Sequence, residues 1–219
     1  EVGIVAGRKK ECFPDGSVYN RLFEMEWDTE IGEVNEVSGT CMVRANVFEQ
    51  LGGFNESFIA GEDPELCLRV REGGWKIVRL ADFMGWHDAN MMHFGEWWRR
   101  TVRTGHAYAE GAAMHGKSEF QHNVRQCRSN WFWGLILPLI IAGLALPTQG
   151  LSLLLLAGYA VLILRVFRWR KSLINSDKNA MIYAIFAVLG KFPSALGQFL
   201  FWQNRWRGKV STLIEYKAA

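Results

Sequence analysis

The sequence contains two apolar runs without a charged residue, and they limit what the chain can fold into. The first is WFWGLILPLIIAGLAL, residues 131–146, and the second is LSLLLLAGYAVLIL, residues 151–164. A helix that crosses a bilayer needs about 20 apolar residues, and aromatic residues flank these runs and extend their reach. The short turn between them therefore predicts a transmembrane helical hairpin. The alternative, a buried hairpin of a water-soluble protein, is disfavoured because neither run shows an amphipathic period.

Basic residues lie at the two outer ends of the hairpin. Arg125 and Arg128 precede the first run, four basic residues at 165–171 follow the second, and the turn carries none. By the positive-inside rule, both ends face the cytoplasm. Residues 180–203 are also apolar, but Lys191 interrupts them and basic residues flank both sides. We expect that segment to lie in the membrane interface instead of crossing.

The net charge limits the kinds of partner to expect, and the cysteines indicate the redox setting. The net charge of +3 is too small to indicate a nucleic-acid-binding protein. The basic residues cluster near apolar segments, so membrane lipid is the expected anionic partner. The four cysteines are far apart and form no CxxC pair, which indicates neither a zinc site nor a disulfide framework. This usage fits a reducing, cytoplasmic setting.

The first half of the chain centres on two adjacent carboxylates, Glu62 and Asp63, at the start of a helix-like run. Pro64 suits the first helical turn, where its missing N–H costs nothing, and the helix dipole favours acidic residues there. The run ends at two glycines, residues 73–74, and a short strand follows from Trp75. From these residues alone, the carboxylates either cap the helix or belong to a site.

The order of motifs between residues 38 and 87 resembles the C-terminal half of the nucleotide-binding domain in family 2 glycosyltransferases. That family has a small-residue strand, a GGF turn, an ED motif with an LxxR helix, a GWKI-like strand and a late histidine. The matching residues are Gly39-Thr40, Gly52-Gly53-Phe54, Glu62-Asp63, residues 66–69, Gly74-Trp75-Lys76-Ile77 and His87. The resemblance implies an α/β nucleotide-sugar domain of the GT-A type.

The resemblance gives Asp63 the role of catalytic base. In the family, the aspartate of the ED motif takes the proton of the acceptor hydroxyl as that oxygen attacks the anomeric carbon. The attack inverts the configuration at that carbon. Glu62 would orient Asp63 or contact the acceptor. The alternative for Asp63 is structural, an ion pair with Arg69 or Arg99.

Further candidate ligand contacts lie before the ED motif. Residues 37–43 are predicted to form a strand that delivers Gly39 and Thr40 to the substrate, where small residues let a ligand approach the backbone. Trp27 either stacks on a sugar or belongs to the core. The basic cluster at residues 8–10 could meet a phosphate, but a solvated face is the favoured interpretation.

His87 raises the question of a metal ion. In several related transferases a histidine at this point reaches the metal or the donor phosphate; packing is the equal alternative. The family holds a divalent metal, Mg or Mn, through a DxD motif in its N-terminal half, and no such motif occurs here. The first residues also resemble a strand entered midway. We therefore expect the sequence to be part of a longer protein and not to catalyse transfer alone.

The segment FGEWWRRTVRTG, residues 94–105, resembles the QxxRW motif of membrane-bound members of the family, with glutamate and arginine replacing the first and last motif residues. The candidate substrate-binding residues are Trp97, Trp98, Arg99, Arg100 and Arg103. The tryptophans could stack on sugar and the arginines could hold diphosphate or lipid phosphate. An interfacial helix without substrate contact explains the same residues equally well.

Together these features predict an α/β, incomplete GT-A domain followed by membrane helices. The predicted segments are the C-terminal half of a GT-A domain (1–105), a connector with an interfacial helix (106–130), a transmembrane hairpin (131–167), and a cytoplasmic loop with an interfacial helix and tail (168–219). The ending at residues 207–217 resembles the tail of one bacterial branch of the family.

The predicted function is transfer of a sugar from a nucleotide-sugar donor to a sugar or lipid-linked acceptor. The resemblance implies a multi-pass protein of the bacterial inner membrane, with its catalytic part in the cytoplasm, acting in polysaccharide or glycolipid synthesis. A non-catalytic membrane adaptor that retains a partial transferase fold is the alternative. A transporter component is disfavoured because neither apolar run carries a charge.

Overall fold

The N-terminal part of the protein folds around a four-stranded sheet. The computed structural model describes residues 1–174 and 176–209. Its strands are β1 (Val2–Glu11), β2 (Gly32–Glu33), β3 (Cys41–Val43) and β4 (Lys76–His87). They lie in the order β2-β4-β1-β3, with β1 and β4 parallel and the outer two strands antiparallel to their neighbours. The mixed α/β architecture predicted from the sequence is confirmed.

Three helices accompany the sheet: α1 (Val18–Trp27), α2 (Ala45–Gln50) and α3 (Glu62–Glu72). The first begins where the Ser17 hydroxyl accepts a hydrogen bond from the amide of Asn20, which satisfies an unpaired N–H of the first turn. Residues 65–68 and Val70 of α3 are buried, so the middle of this helix is covered on most sides. The core between these elements consists of Ile4, Ala6, Val37, Val47, Leu66, Cys67, Val70 and Ile77.

Two strands differ in length from the sequence prediction. The sequence predicts a strand over residues 37–43, but β3 begins only at Cys41. The reason is Gly39, whose φ of +68° is left-handed and incompatible with an extended strand. The short strand predicted after α3 instead continues to His87, because it pairs with β1 as far as Glu11.

The C-terminal part is helical. Its helices are α4 (Phe94–His115), α5 (Val124–Trp131), α6 (Leu137–Ala145), α7 (Ala157–Lys171), α8 (Asp177–Leu189) and α9 (Lys191–Trp206). A π-helical segment, Phe132–Ile136, joins α5 to α6, and a 3₁₀ segment, Leu151–Leu156, precedes α7. Most of the predicted tail resemblance, residues 210–217, lies outside the described residues.

Three helical stretches of the described chain are long and apolar enough to cross a membrane: Val124–Ala145, Leu151–Lys171 and Asp177–Trp206. The first two contain the two apolar runs of the predicted hairpin. In the most apolar part of the third, 39% of the residues are buried inside the protein, against 17% and 6% in the other two. The third stretch is therefore the one most covered by protein, and its predicted interfacial position remains a prediction.

The third stretch is covered because α9 packs closely on α4. Gly105 of α4 lies against the backbone of Ser194, and Gly197 of α9 lies against the backbone of Val102. A glycine on each helix lets the two backbones approach more closely than larger side chains would permit. The helix that carries the WWRR segment is thus held directly by the last apolar helix.

Arg170, near the C-terminal end of α7, joins the helical part to the α/β part. Its side chain is buried and donates hydrogen bonds to the carbonyl oxygens of Met25 and Asp28, the latter over 3.1 Å. These carbonyls lie at the C-terminal end of α1, where unpaired oxygens and the helix dipole favour a cation. The α/β part is therefore fastened to the end of the second apolar stretch.

Candidate active site

A cleft of about 890 Å³ lies beside the start of α3. Its walls come from β1, β4, the segment between α1 and β3, α3, the connector before α5, and the end of α7. Its lining residues include Lys9, Trp27, Ser38, Thr40, Pro64 and Arg79. Of the residues proposed from the sequence, Trp27 and Thr40 line the cleft. Gly39, Glu62 and Asp63 are not among its described lining residues, although their neighbours Ser38, Thr40 and Pro64 are. The cleft volume falls in the range of small-molecule sites.

Asp63 is held at the mouth of α3. The helix begins directly after Gly61, whose left-handed φ of 88° turns the chain into it. One carboxylate oxygen of Asp63 accepts a hydrogen bond from the amide of Gly39 over 2.7 Å. Burial raises the pKa of the Asp63 carboxyl above its ordinary value, and the exposed Glu62 carboxylate adds to this rise. The structure thus brings three of the predicted site residues together: Gly39, Glu62 and Asp63.

Lys9 joins this group, although the sequence favours a solvated face for residues 8–10. Arg8 and Lys10 are exposed, whereas Lys9 points into the cleft. Its ammonium donates a hydrogen bond to the carbonyl oxygen of Ser38 over 3.0 Å and lies 4.8 Å from the centre of the Trp27 ring. Burial lowers the pKa of Lys9, and the Asp63 carboxylate opposes that shift. No local signal in the sequence separates Lys9 from its basic neighbours.

Arg69 of α3 contacts the Gly52-Gly53 turn. Its guanidinium forms a bidentate ion pair with the buried Glu65, with Nη2 2.7 Å from the carboxylate. It also donates to the carbonyl oxygens of Leu51 and Gly53 over 2.6 and 2.7 Å. Arg69 therefore links the glycine turn to α3. One alternative from the sequence paired Arg69 with Asp63, but Arg69 forms its ion pair with Glu65.

His87 is the last residue of β4. Its ring packs against Trp27 and Phe23, with centroids 4.5 and 6.2 Å apart, and its Nδ1 is 3.8 Å from a carboxylate oxygen of the buried Glu11. Within residues 1–174 and 176–209, no group of three or more His, Cys, Asp or Glu side chains is arranged to hold a metal ion. The described residues alone do not fit a divalent metal, and the metal-binding role of His87 stays a prediction.

Three of the five candidate residues of α4 have packing contacts. Trp97 is buried in a second core cluster with Phe23 and other residues, and Trp98 packs against that cluster. Arg100 lies 4.0 Å from the Phe23 ring centre and forms an ion pair with Glu26. None of the five is among the described residues that line the cleft. The substrate-binding role of these five residues stays a prediction.

Arg99 and Arg103 complete the predicted set. Arg99 is exposed and Arg103 is partly exposed on α4. The positive charge of Arg99 helps to lower the pKa of Glu96, after the hydrogen bonds that the amides of His93 and Met92 donate to that carboxylate. Both arginines remain candidates for binding an anionic group at the membrane surface.

The site can bind a polar molecule and offers a half-buried carboxylate as a proton acceptor. The fold and site define a mixed α/β domain, with paired acids beside a cleft, joined to helices long and apolar enough to span a membrane.

No family model matches the sequence. No curated protein matches it either.

Proposed function

We propose that the chain belongs to a membrane-anchored, GT-A-type glycosyltransferase that transfers a sugar from a nucleotide-sugar donor with inversion. The observation that carries the proposal is Asp63, a half-buried carboxylate at a helix N-terminus beside a large cleft, fixed by the amide of Gly39. Its support from sequence is the ordered set of motifs between residues 38 and 87.

In this reaction the acceptor hydroxyl attacks the anomeric carbon of the donor. The carboxylate of Asp63 takes the hydroxyl proton as the new carbon–oxygen bond forms, and the bond from the anomeric carbon to the diphosphate breaks. The nucleoside diphosphate leaves with the bonding electron pair. A raised pKa suits this role, because a base works best when its pKa is near the working pH.

The proposed acceptor is a sugar or lipid-linked molecule at the cytoplasmic face of the bacterial inner membrane. Three apolar stretches support a membrane location, and the buried Arg170 fastens the α/β part to the end of one of them. The cleft includes residues from the end of α7, among them Trp169. An acceptor that stays in the membrane would thus meet the cleft near the bilayer surface.

A second candidate is a membrane adaptor that keeps a partial transferase fold without catalysis. One observation favours it: Trp97 of the WWRR segment is buried in a core cluster and Trp98 packs against that cluster. An adaptor needs the cleft or surface for binding but does not need Asp63 as a base.

Sugar transfer by Asp63→Asn in the full-length protein separates the two candidates. Membranes containing the protein are incubated with a panel of radiolabelled nucleotide sugars, and label in lipid and polysaccharide is measured. We expect Asp63→Asn to lower the rate by about 10²- to 10⁴-fold, the usual contribution of a general base. Asp82→Asn, at an exposed carboxylate on β4, is the matched control and should keep the wild-type rate. Equal rates in both variants would refute the enzyme proposal.

A further inference from the structure

We propose that Lys9 is a positioning residue that holds Asp63 in place, and in its ionised form, through the peptide group between Ser38 and Gly39. The inference rests on the proposed role of Asp63 as the base. It adds a residue that the motif between residues 38 and 87 does not contain.

A single peptide group lies between the two charged side chains. Its carbonyl oxygen, from Ser38, accepts a hydrogen bond from the ammonium of Lys9 over 3.0 Å. Its N–H, from Gly39, donates to the carboxylate of Asp63 over 2.7 Å. The peptide unit is planar and delocalised, so a cation at the oxygen polarises the N–H toward the carboxylate and strengthens that hydrogen bond.

The backbone conformation and the missing side chain of Gly39 permit this arrangement. Its φ of +68° is left-handed, a conformation that glycine adopts without strain. A Cβ added at this position would lie 3.0 Å from the Lys9 ammonium, so glycine also leaves the room that the lysine occupies. The face of Trp27, 4.8 Å from the ammonium, limits the other positions of the lysine.

The charges around Asp63 show why a cation is needed there. Burial and the Glu62 carboxylate favour the protonated acid, whereas the Gly39 amide and Lys9 favour the carboxylate. A protonated Asp63 could not accept the hydroxyl proton. The other titratable or charged groups linked to this pair are Cys41 on β3, Cys67 on α3 and Arg79 on β4.

Titration of Asp63 in Lys9 variants tests the inference without requiring sugar transfer. The protein is labelled with carbon-13 at aspartate carboxyls, and the Asp63 signal is identified by its loss in Asp63→Asn. We expect Lys9→Met to raise the titration midpoint of Asp63 by about one pH unit, as for loss of a nearby opposite charge. Lys10→Met, on the same strand but exposed, is the matched control and should leave the midpoint unchanged.

Two more variants separate charge from packing. Lys9→Gln keeps a donor for the Ser38 carbonyl but removes the charge, so it should raise the midpoint as Lys9→Met does and provides the measurement if Lys9→Met does not fold. Lys9→Arg keeps the charge and should stay near the wild-type midpoint. An unchanged midpoint in both neutral variants would overturn the inference.

The transfer assay adds a second readout. In the full-length protein, Lys9→Gln should shift the acid limb of the pH–rate profile to higher pH, by the same amount as the Asp63 titration midpoint. The KM for the donor should change little. If the Asp63 titration shifts in the Lys9 variants but the full-length protein transfers no sugar, the role of Lys9 is supported and the proposed function is refuted. A rate loss equal at every pH, with an unshifted titration, would mean that Lys9 has only a structural role.

Discussion

The crossing of α4 and α9 provides a direct test of how the helical part is assembled. A Cβ added to Gly197 would lie 1.9 Å from the carbonyl oxygen of Val102 and 2.7 Å from the amide of His106. On the other helix, a Cβ added to Gly105 would lie 2.1 Å from the carbonyl oxygen of Ser194. Each obstacle is backbone, which cannot rotate aside as a side chain can. Gly197→Ala must therefore push the helices apart.

The size of the effect follows from the packing. Overpacking a tight interior costs about 1–3 kcal/mol, and a clash with rigid backbone belongs at the upper end of that range. In a protein of this length, about 1 kcal/mol changes the melting temperature by about 2–4 °C, so we expect a fall of about 6–12 °C. Gly95→Ala, in the first turn of α4, is the matched control because its Cβ would meet no atom within 4 Å. Alanine is also the better helix former, so this control should be neutral or slightly stabilising.

Thermal unfolding in detergent, followed by circular dichroism, measures both variants. The reasoning is refuted if Gly197→Ala unfolds at the same temperature as Gly95→Ala. That result would mean that the α4 and α9 backbones are not in close contact in solution, and that the WWRR helix is not held by the last apolar stretch.

Two further predictions concern buried charges. Arg69→Met removes the bidentate partner of the buried Glu65 carboxylate and leaves the His115 ring nitrogen, 3.1 Å away, as its remaining described side-chain partner. The free energy of unfolding should therefore fall by about 3 kcal/mol in denaturant titrations, the lower end of the range for breaking a buried ion pair. A loss below about 1 kcal/mol would contradict this account. Burial lowers the pKa of His106 to about 4, so between that pH and about 6.5 the unfolded chain binds more protons than the folded protein. The contribution of His106 to stability should be complete above about pH 6.5 and decline as the pH falls toward 4. Melting temperatures across this range test it, and an imidazole NMR titration with its midpoint near about 6.5 would refute it.

Much of the fold could be predicted where the signal is local. The charge-free run at residues 131–146, except its last residue, and the run at 151–164 fall inside helices long enough to span a membrane. The proline and acids at the start of α3 and the glycine at its end set limits that the helix keeps, from Glu62 to Glu72 before Gly73. These features depend on neighbouring residues, which a single sequence displays directly.

Features set by distant contacts could not be predicted. The length of β4 depends on its parallel pairing with β1, and the late start of β3 depends on one left-handed glycine, Gly39. Lys9 looks like its basic neighbours until the segment around Ser38 is folded over it. Trp97 could equally have stacked on a ligand, and its burial against Phe23 is a tertiary fact.

The rate of sugar transfer as a function of pH, in wild-type full-length protein and in Asp63→Asn, tests the central claim most directly. A base must be deprotonated, so the wild-type rate should fall as the pH drops through the raised pKa of Asp63, with a midpoint above about 3.9, the ordinary aspartate value. Asp63→Asn should transfer almost nothing at any pH. Transfer by Asp63→Asn at the wild-type rate, with the same pH dependence, would contradict the account.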